Sequence, residues 1–119
     1  MLQFMNLTKA LSDENRVRIL LALSATEELC VCHINQLFAL APSTISKHLF
    51  LLKNARLLTA RKEGRWIYYR LNNDSQAPAA VSEALAWITR SVSDDPVIEA
   101  DRRRLGEILS VPIQSACSR

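Results

Sequence analysis

The chain is 119 residues long, 49% apolar and 23% charged, which gives enough apolar matter for one core and argues against a disordered chain. No window reaches the roughly 18–20 apolar residues of a membrane span, and the opening MLQFMNLTKAL lacks the basic start and long apolar run of an export signal. Three cysteines without framework spacing argue against a secreted disulfide scaffold, so the cytoplasm is the expected compartment and no membrane partner is expected. The net charge of +3 is modest but unevenly distributed. Residues 41–70 carry seven basic groups (Lys47, Lys53, Arg56, Arg61, Lys62, Arg65 and Arg70) against one acid, Glu63. The other 89 residues carry eight basic and eleven acidic groups. Positive charge gathered in one segment is the footprint of a polyanion-binding element, with a solvated basic face as the plainer alternative.

In chain order, Phe4, Leu7 and Leu11 recur at helical spacing. Ser12 reads as the N-cap of a second helix, with Asp13 and Glu14 in its first turn and Val17, Ile19, Leu20, Leu21 and Leu23 along it. After the stretch ELCVCHI, a third helical run covers Ile34 to Leu40 and stops at Ala41-Pro42. Pro42 before Ser43-Thr44 fits the start of a fourth helix reaching about Ala55, with Ile45, Leu49 and Leu52 on its inner stripe. Ser43, Thr44, Lys47 and His48 are expected on the opposite, outward face. The helical period then ends. LLTARK and RWIYYRL are strand-like and flank Glu63-Gly64, a candidate hairpin turn. On the second strand Ile67, Tyr69 and Leu71 share one face and Trp66, Tyr68 and Arg70 the other. A helix from about Ser75 to Val92 follows, and Asp94-Asp95-Pro96 opens a last helix that ends near Pro112.

This order predicts a mainly α fold with a β-hairpin wing, a winged helix-turn-helix of the form α-α-α-α-β-β-α-α. Residues 1–110 form one DNA-binding and dimerisation domain in this reading, and 111–119 a C-terminal tail. Ser43, Thr44, Ser46, Lys47 and His48 are the candidates for the major groove, with Lys62 and Arg65 of the wing on the flanking backbone. Such a module reads one half-site, so the expected partner is an inverted-repeat operator in double-stranded DNA, bound by a homodimer. The apolar faces of the first helix (Phe4, Leu7, Leu11) and of the last two (Leu85, Ile88, Ile98, Leu105) are the expected dimer surfaces.

Four blocks carry a resemblance to a known family: LTKALSDENRVRILLAL (Leu7–Leu23), ELCVC (Glu28–Cys32), STISKHLFLLKNARLL (Ser43–Leu58) and RKEGRWIYYRL (Arg61–Leu71). In this order and spacing the chain resembles the arsenical-resistance (ArsR) family of winged-helix, metal-sensing transcriptional repressors, over half its length. The resemblance implies a homodimeric repressor whose ELCVC cysteines, Cys30 and Cys32, bind As(III) or Sb(III), or in some members Cd(II) or Pb(II), and so release DNA. The chain departs from the family where many arsenic sensors have a third cysteine, because Asn35 stands there. A second family site for Zn(II), built on the penultimate helix, is not supported, since 75–92 contains no His.

On an ideal helix, residues two apart point roughly 200° from each other, so Cys30 and Cys32 can share an ion only where the chain is extended or the first helical turn opens. Soft thiolates select soft ions, and pyramidal As(III) takes three ligands. Cys117, His33, water or a small thiol could supply the third. No cofactor is required in this reading; the ion is an inducer. Cd(II)/Pb(II) sensing and a metal-independent thiol-redox regulator are the alternatives. Catalysis is not expected: C-x-x-C, a βαβ pattern, a Ser/His/Asp set and paired carboxylates are all missing.

Overall fold

A computed structural model describes residues 1–112. Its elements run α1 (Leu2–Ala10), α2 (Glu14–Ser24), β1 (Leu29–Cys30), α3 (Val31–Leu37), α4 (Pro42–Asn54), β2 (Leu58–Glu63), β3 (Trp66–Leu71), α5 (Ala79–Val92) and α6 (Pro96–Leu109). The architecture is the expected one, mainly helical with a β-hairpin wing. The sheet, however, has three strands in the order β1-β3-β2, both pairings antiparallel. Ile19, Leu20 and Leu23 of α2, Ile34 and Leu37 of α3, and Ile45, Leu49 and Leu52 of α4 form the centre of the core, closed by Leu57, Leu58 and Val81. Among the described residues no helix is long and apolar enough to cross a membrane.

Several boundaries differ from the sequence expectation, each for a local reason. Asp13, not Ser12, caps α2: its Oδ1 accepts from the Asn15 and Arg16 amides at 2.8 and 3.2 Å. The Ser12 hydroxyl instead donates back to the Lys9 carbonyl at 2.8 Å. The run expected over Ile34–Leu40 begins three residues earlier, because Cys30 is already the extended N-cap of α3. The α5 helix begins at Ala79 rather than near Ser75, behind Pro78. Asp74 holds that approach by accepting from the Gln76 amide at 2.8 Å.

The wing turn is Gly64-Arg65, one residue beyond the expected pair, since Glu63 still pairs with Trp66. Gly64 takes φ +62, the left-handed first position of a type II′ hairpin turn, which places Arg65 at the wing tip. Between α4 and β2 the Leu57 amide bonds the Leu52 carbonyl at 3.0 Å, and the Arg56 amide bonds that of Lys53 at 2.9 Å. That pair of bonds is a Schellman cap, with Arg56 at φ 66 where glycine is usual.

Candidate nucleic-acid interface and cysteine site

The α4 helix starts with Pro42 in its first turn and buries Ile45, His48, Leu49 and Leu52. With one side of the helix committed to the core, Ser43, Ser46, Lys47 and Phe50 are left exposed and Thr44 half-buried. Four of the five expected groove residues therefore share an accessible face. His48 does not: it is only 8% exposed, and its Nδ1 lies 3.1 Å from Arg16 Nη1. Arg16 also donates to the carbonyls of Ala10 (2.9 Å) and Lys9 (3.1 Å), so the pair fastens the end of α1 to α4. His48 sets the position of the helix and does not reach outward. Phe50, which the sequence reading passed over, stands among the outward residues at 64% exposure.

On the wing, Lys62 and Arg65 are exposed, and the Arg65 guanidinium rests 5.0 Å from the centre of the Trp66 ring. Arg61 is committed elsewhere. Its Nε donates to Glu28 Oε2 at 3.0 Å, its terminal nitrogens pair with Glu28 and Glu63, and it lies 4.5 Å from the Tyr68 ring centre. The bonds from Arg61 hold the Glu28 carboxyl below its ordinary range, and the two carboxylates raise Arg61 in turn. The accessible positive charge of this segment is thus on Lys47, Lys53, Arg56, Lys62, Arg65 and Arg70, across α4, its C-terminal cap and the wing.

Cys30 is wholly buried as a free thiol in β1, with extended backbone (φ −68, ψ 147). Its ladder partner is Tyr68 of the wing. Cys32 is half-buried in the first turn of α3, where Gln36 Nε2 approaches its sulfur at 3.8 Å. The two cysteines flank a strand-to-helix junction, where neighbouring sulfurs can turn toward one ion once both are reduced; here Cys30 is a free thiol and Cys32 is disulfide-bonded. His33 is buried rather than solvent-facing, and burial pushes its pKa down, favouring the neutral imidazole. Its Nε2 and the Asn35 Oδ1 are buried without hydrogen-bond partners. Among the described residues no group of three His, Cys, Asp or Glu side chains could hold a metal ion. Cys117, the tail candidate, lies outside the described residues.

The far end of α3 is held by α6. Arg104 donates to the Gln36 carbonyl at 3.0 Å. Arg18 of α2 makes two 2.8 Å bonds to Asp101 and stacks 4.7 Å from the centre of the Phe38 ring, just past α3. The last two helices do less of the expected dimer work than their pattern suggested. Leu85, Ile88, Ile98 and Leu105 are buried in the chain's own core, as is Leu7 of α1. On α1, α5 and α6 the large apolar groups left exposed are Phe4, as expected, with Leu2, Met5, Trp87, Val97 and Leu109.

A helix-turn-helix with an exposed polar face on its second helix, followed directly by a basic hairpin, defines a winged-helix DNA-binding regulator. Residues 13–60 match the family model described as bacterial regulatory protein, arsR family. The arsenical resistance operon repressor of Escherichia coli K12 is 43% identical over 81 residues, covering 68% of this chain and 69% of that protein. The Bacillus subtilis arsenical resistance operon repressor is 38% identical over 82 residues, 69% of this chain and 77% of that one. A Staphylococcus aureus cadmium resistance transcriptional regulatory protein, a CadC homolog, is 46% identical over 66 residues, though the match spans only 54% of its length. Among solved structures, HlyU from Vibrio cholerae superposes with a TM-score of 0.64 at 27% identity, over 77% of this chain and 94% of that one. The chain belongs to the ArsR family. Its family is one of DNA-binding transcriptional regulators, not of enzymes.

Proposed function

We propose that the chain is a homodimeric repressor that binds an inverted-repeat operator and leaves it when As(III) or Sb(III) binds Cys30 and Cys32. Residues 1–110 serve as the DNA-binding and dimerisation unit. Ser43, Thr44, Ser46 and Lys47 enter the major groove, and Lys62 and Arg65 meet the flanking phosphates. The exposed apolar groups of α1, α5 and α6 supply the two-fold contact.

The observation that carries the inducer reading is the junction itself. Cys30 sits in a strand paired with the wing, and Cys32 sits in the first turn of the helix leading into α4. An ion that needs both thiolates favours a junction geometry different from the one that docks wing and α4 together. Binding is then coupled to release through differential affinity for two conformations. Two thiolates leave a pyramidal ion one ligand short, and Cys117, water or a small thiol completes it. The S. aureus relative's name, which gives cadmium, favours a second reading with Cd(II) as inducer; Pb(II) is the other thiophilic divalent ion of that reading.

Operator release measured under constant reductant against As(III), Sb(III), Cd(II) and Pb(II) separates these readings. As(III) is expected to release wild type, while Cys30→Ala and Cys32→Ser keep operator affinity and lose the response. Release by Cd(II) or Pb(II) alone would transfer the role to those ions. Release only by oxidant, silenced by reductant, would make this a thiol-redox regulator.

A further inference from the structure

The outward face of α4 carries one large apolar side chain, and none of the described residues covers it. Phe50 is 64% exposed, opposite the buried Ile45, Leu49 and Leu52. It lies one turn beyond Lys47 and one turn before Lys53, both exposed. With Ser46, Lys47 and Leu51 it lines a shallow hollow open to solvent. A phenyl ring at this place does nothing for the core. Nor does it serve general DNA affinity, which comes from cations and donors meeting phosphate oxygens and releasing counterions. Exposed in water, the ring is itself unfavourably hydrated.

The major groove offers one apolar group, the C5-methyl of thymine, and apolar side chains on a helix lying in that groove meet it. Insertion of a ring between base steps is a minor-groove device, which a groove-reading helix is not placed to use. Lys47 and Lys53 on either side would hold the helix against the phosphates while the ring faces the base edges. We propose that Phe50 is a specificity-determining residue that packs against a thymine C5-methyl in each operator half-site. This rests on the reading of α4 as the major-groove helix.

The test uses the full chain under reductant and an operator selected from a random duplex library. Each half-site thymine is replaced in turn by deoxyuridine, which lacks only the methyl, and affinity is measured for wild type and Phe50→Ala. One thymine per half-site is expected to matter, its methyl being worth about fourfold, or about fifteenfold when both half-sites are changed. Phe50→Ala should lose a similar factor on the thymine operator and be indifferent to deoxyuridine at that position, with an unchanged salt slope. Identical deoxyuridine profiles for the two proteins would overturn the assignment while leaving α4 as the reading helix. A changed sedimentation coefficient or a lowered melting temperature in Phe50→Ala would also overturn it, because the ring would then be covering a second copy or packing within the chain. If no duplex is enriched and neither protein binds DNA, the reading of α4 fails and takes this inference with it.

Discussion

Cys30 lies directly opposite Tyr68 in the antiparallel register of β1 and β3, so a fully buried thiol is one ladder step from the wing. A second tie runs alongside: Glu28, two residues before Cys30, holds Arg61 of β2. Movement of the cysteine strand therefore acts on the hairpin as well as on α3. If an ion at Cys30 and Cys32 releases DNA as proposed, coupling is reciprocal, and DNA bound at the wing weakens ion binding by the same factor that the ion weakens DNA binding.

The wing's share of DNA affinity can be isolated at Arg65. Its place at the turn tip, stacked on Trp66, leaves the charge accessible and without sequence information to read. Arg65→Ala should weaken binding to all duplexes alike and lower the slope of log K against log salt by about one unit. A salt titration returning the wild-type slope would take the wing off the DNA.

Arg56 gives a prediction about stability alone. A non-glycine residue in the left-handed region costs about 1 kcal/mol, and here the cap it closes is fixed by the bonds from Leu57 and Arg56 back into α4. Arg56→Gly should therefore raise the unfolding free energy by about 0.5–1 kcal/mol, read as a higher urea midpoint at unchanged m-value. A lower midpoint would mean that the long side chain contributes more than the backbone loses.

What the sequence showed and what it hid divide by range. The α4 helix was legible because Pro42 and the Ile45, Leu49, Leu52 stripe are local signals, and the hairpin because its residue types change abruptly at Leu58. The two residues of β1 are too few to show any period; they become a strand only because β3 is there to pair with them. His48 was placed outward because it is polar, yet it borders the core stripe and its partner, Arg16, is 32 positions away. Asp101 gives no local signal either, since its partner Arg18 is 83 positions away. Phe50 gives no sequence signal, because an exposed ring adds nothing to the apolar period of the helix. Of the expected dimer stripe, Phe4 is exposed while Leu7, Leu85, Ile88, Ile98 and Leu105 are buried in the chain's own core, since apolar periodicity shows that a face is buried but not against what.

Tyr69 offers a pH test of the wing's packing. Burial raises its phenol above the ordinary value of 10.0. A folded-state pKa above the unfolded one means that stability is complete below pH 10 and falls as pH rises through the folded value. Stability measured from pH 8 to 12 should decline above about 10, and Tyr69→Phe should remove part of that decline. An unchanged profile in the variant would show that the phenol is hydrated in the folded protein.

The last prediction concerns the tie between α2 and α6. Arg18 and Asp101 meet through two 2.8 Å bonds, with side chains 22% and 10% exposed, and the guanidinium also covers Phe38. Asp101→Ala leaves a half-covered cation with no carboxylate, and should cost about 2–4 kcal/mol, since breaking one side of a buried pair is worse than lacking the pair. Replacing both, as Arg18→Met with Asp101→Leu, should recover at least about half of that loss, because the methionine can keep the contact with Phe38 without a charge to solvate. Urea unfolding of the two single variants and the double variant forms the cycle. Additive losses would show that the pair acts as two independent surface charges, and α6 would then owe its place to Ile98, Leu105 and the Arg104 bond to α3.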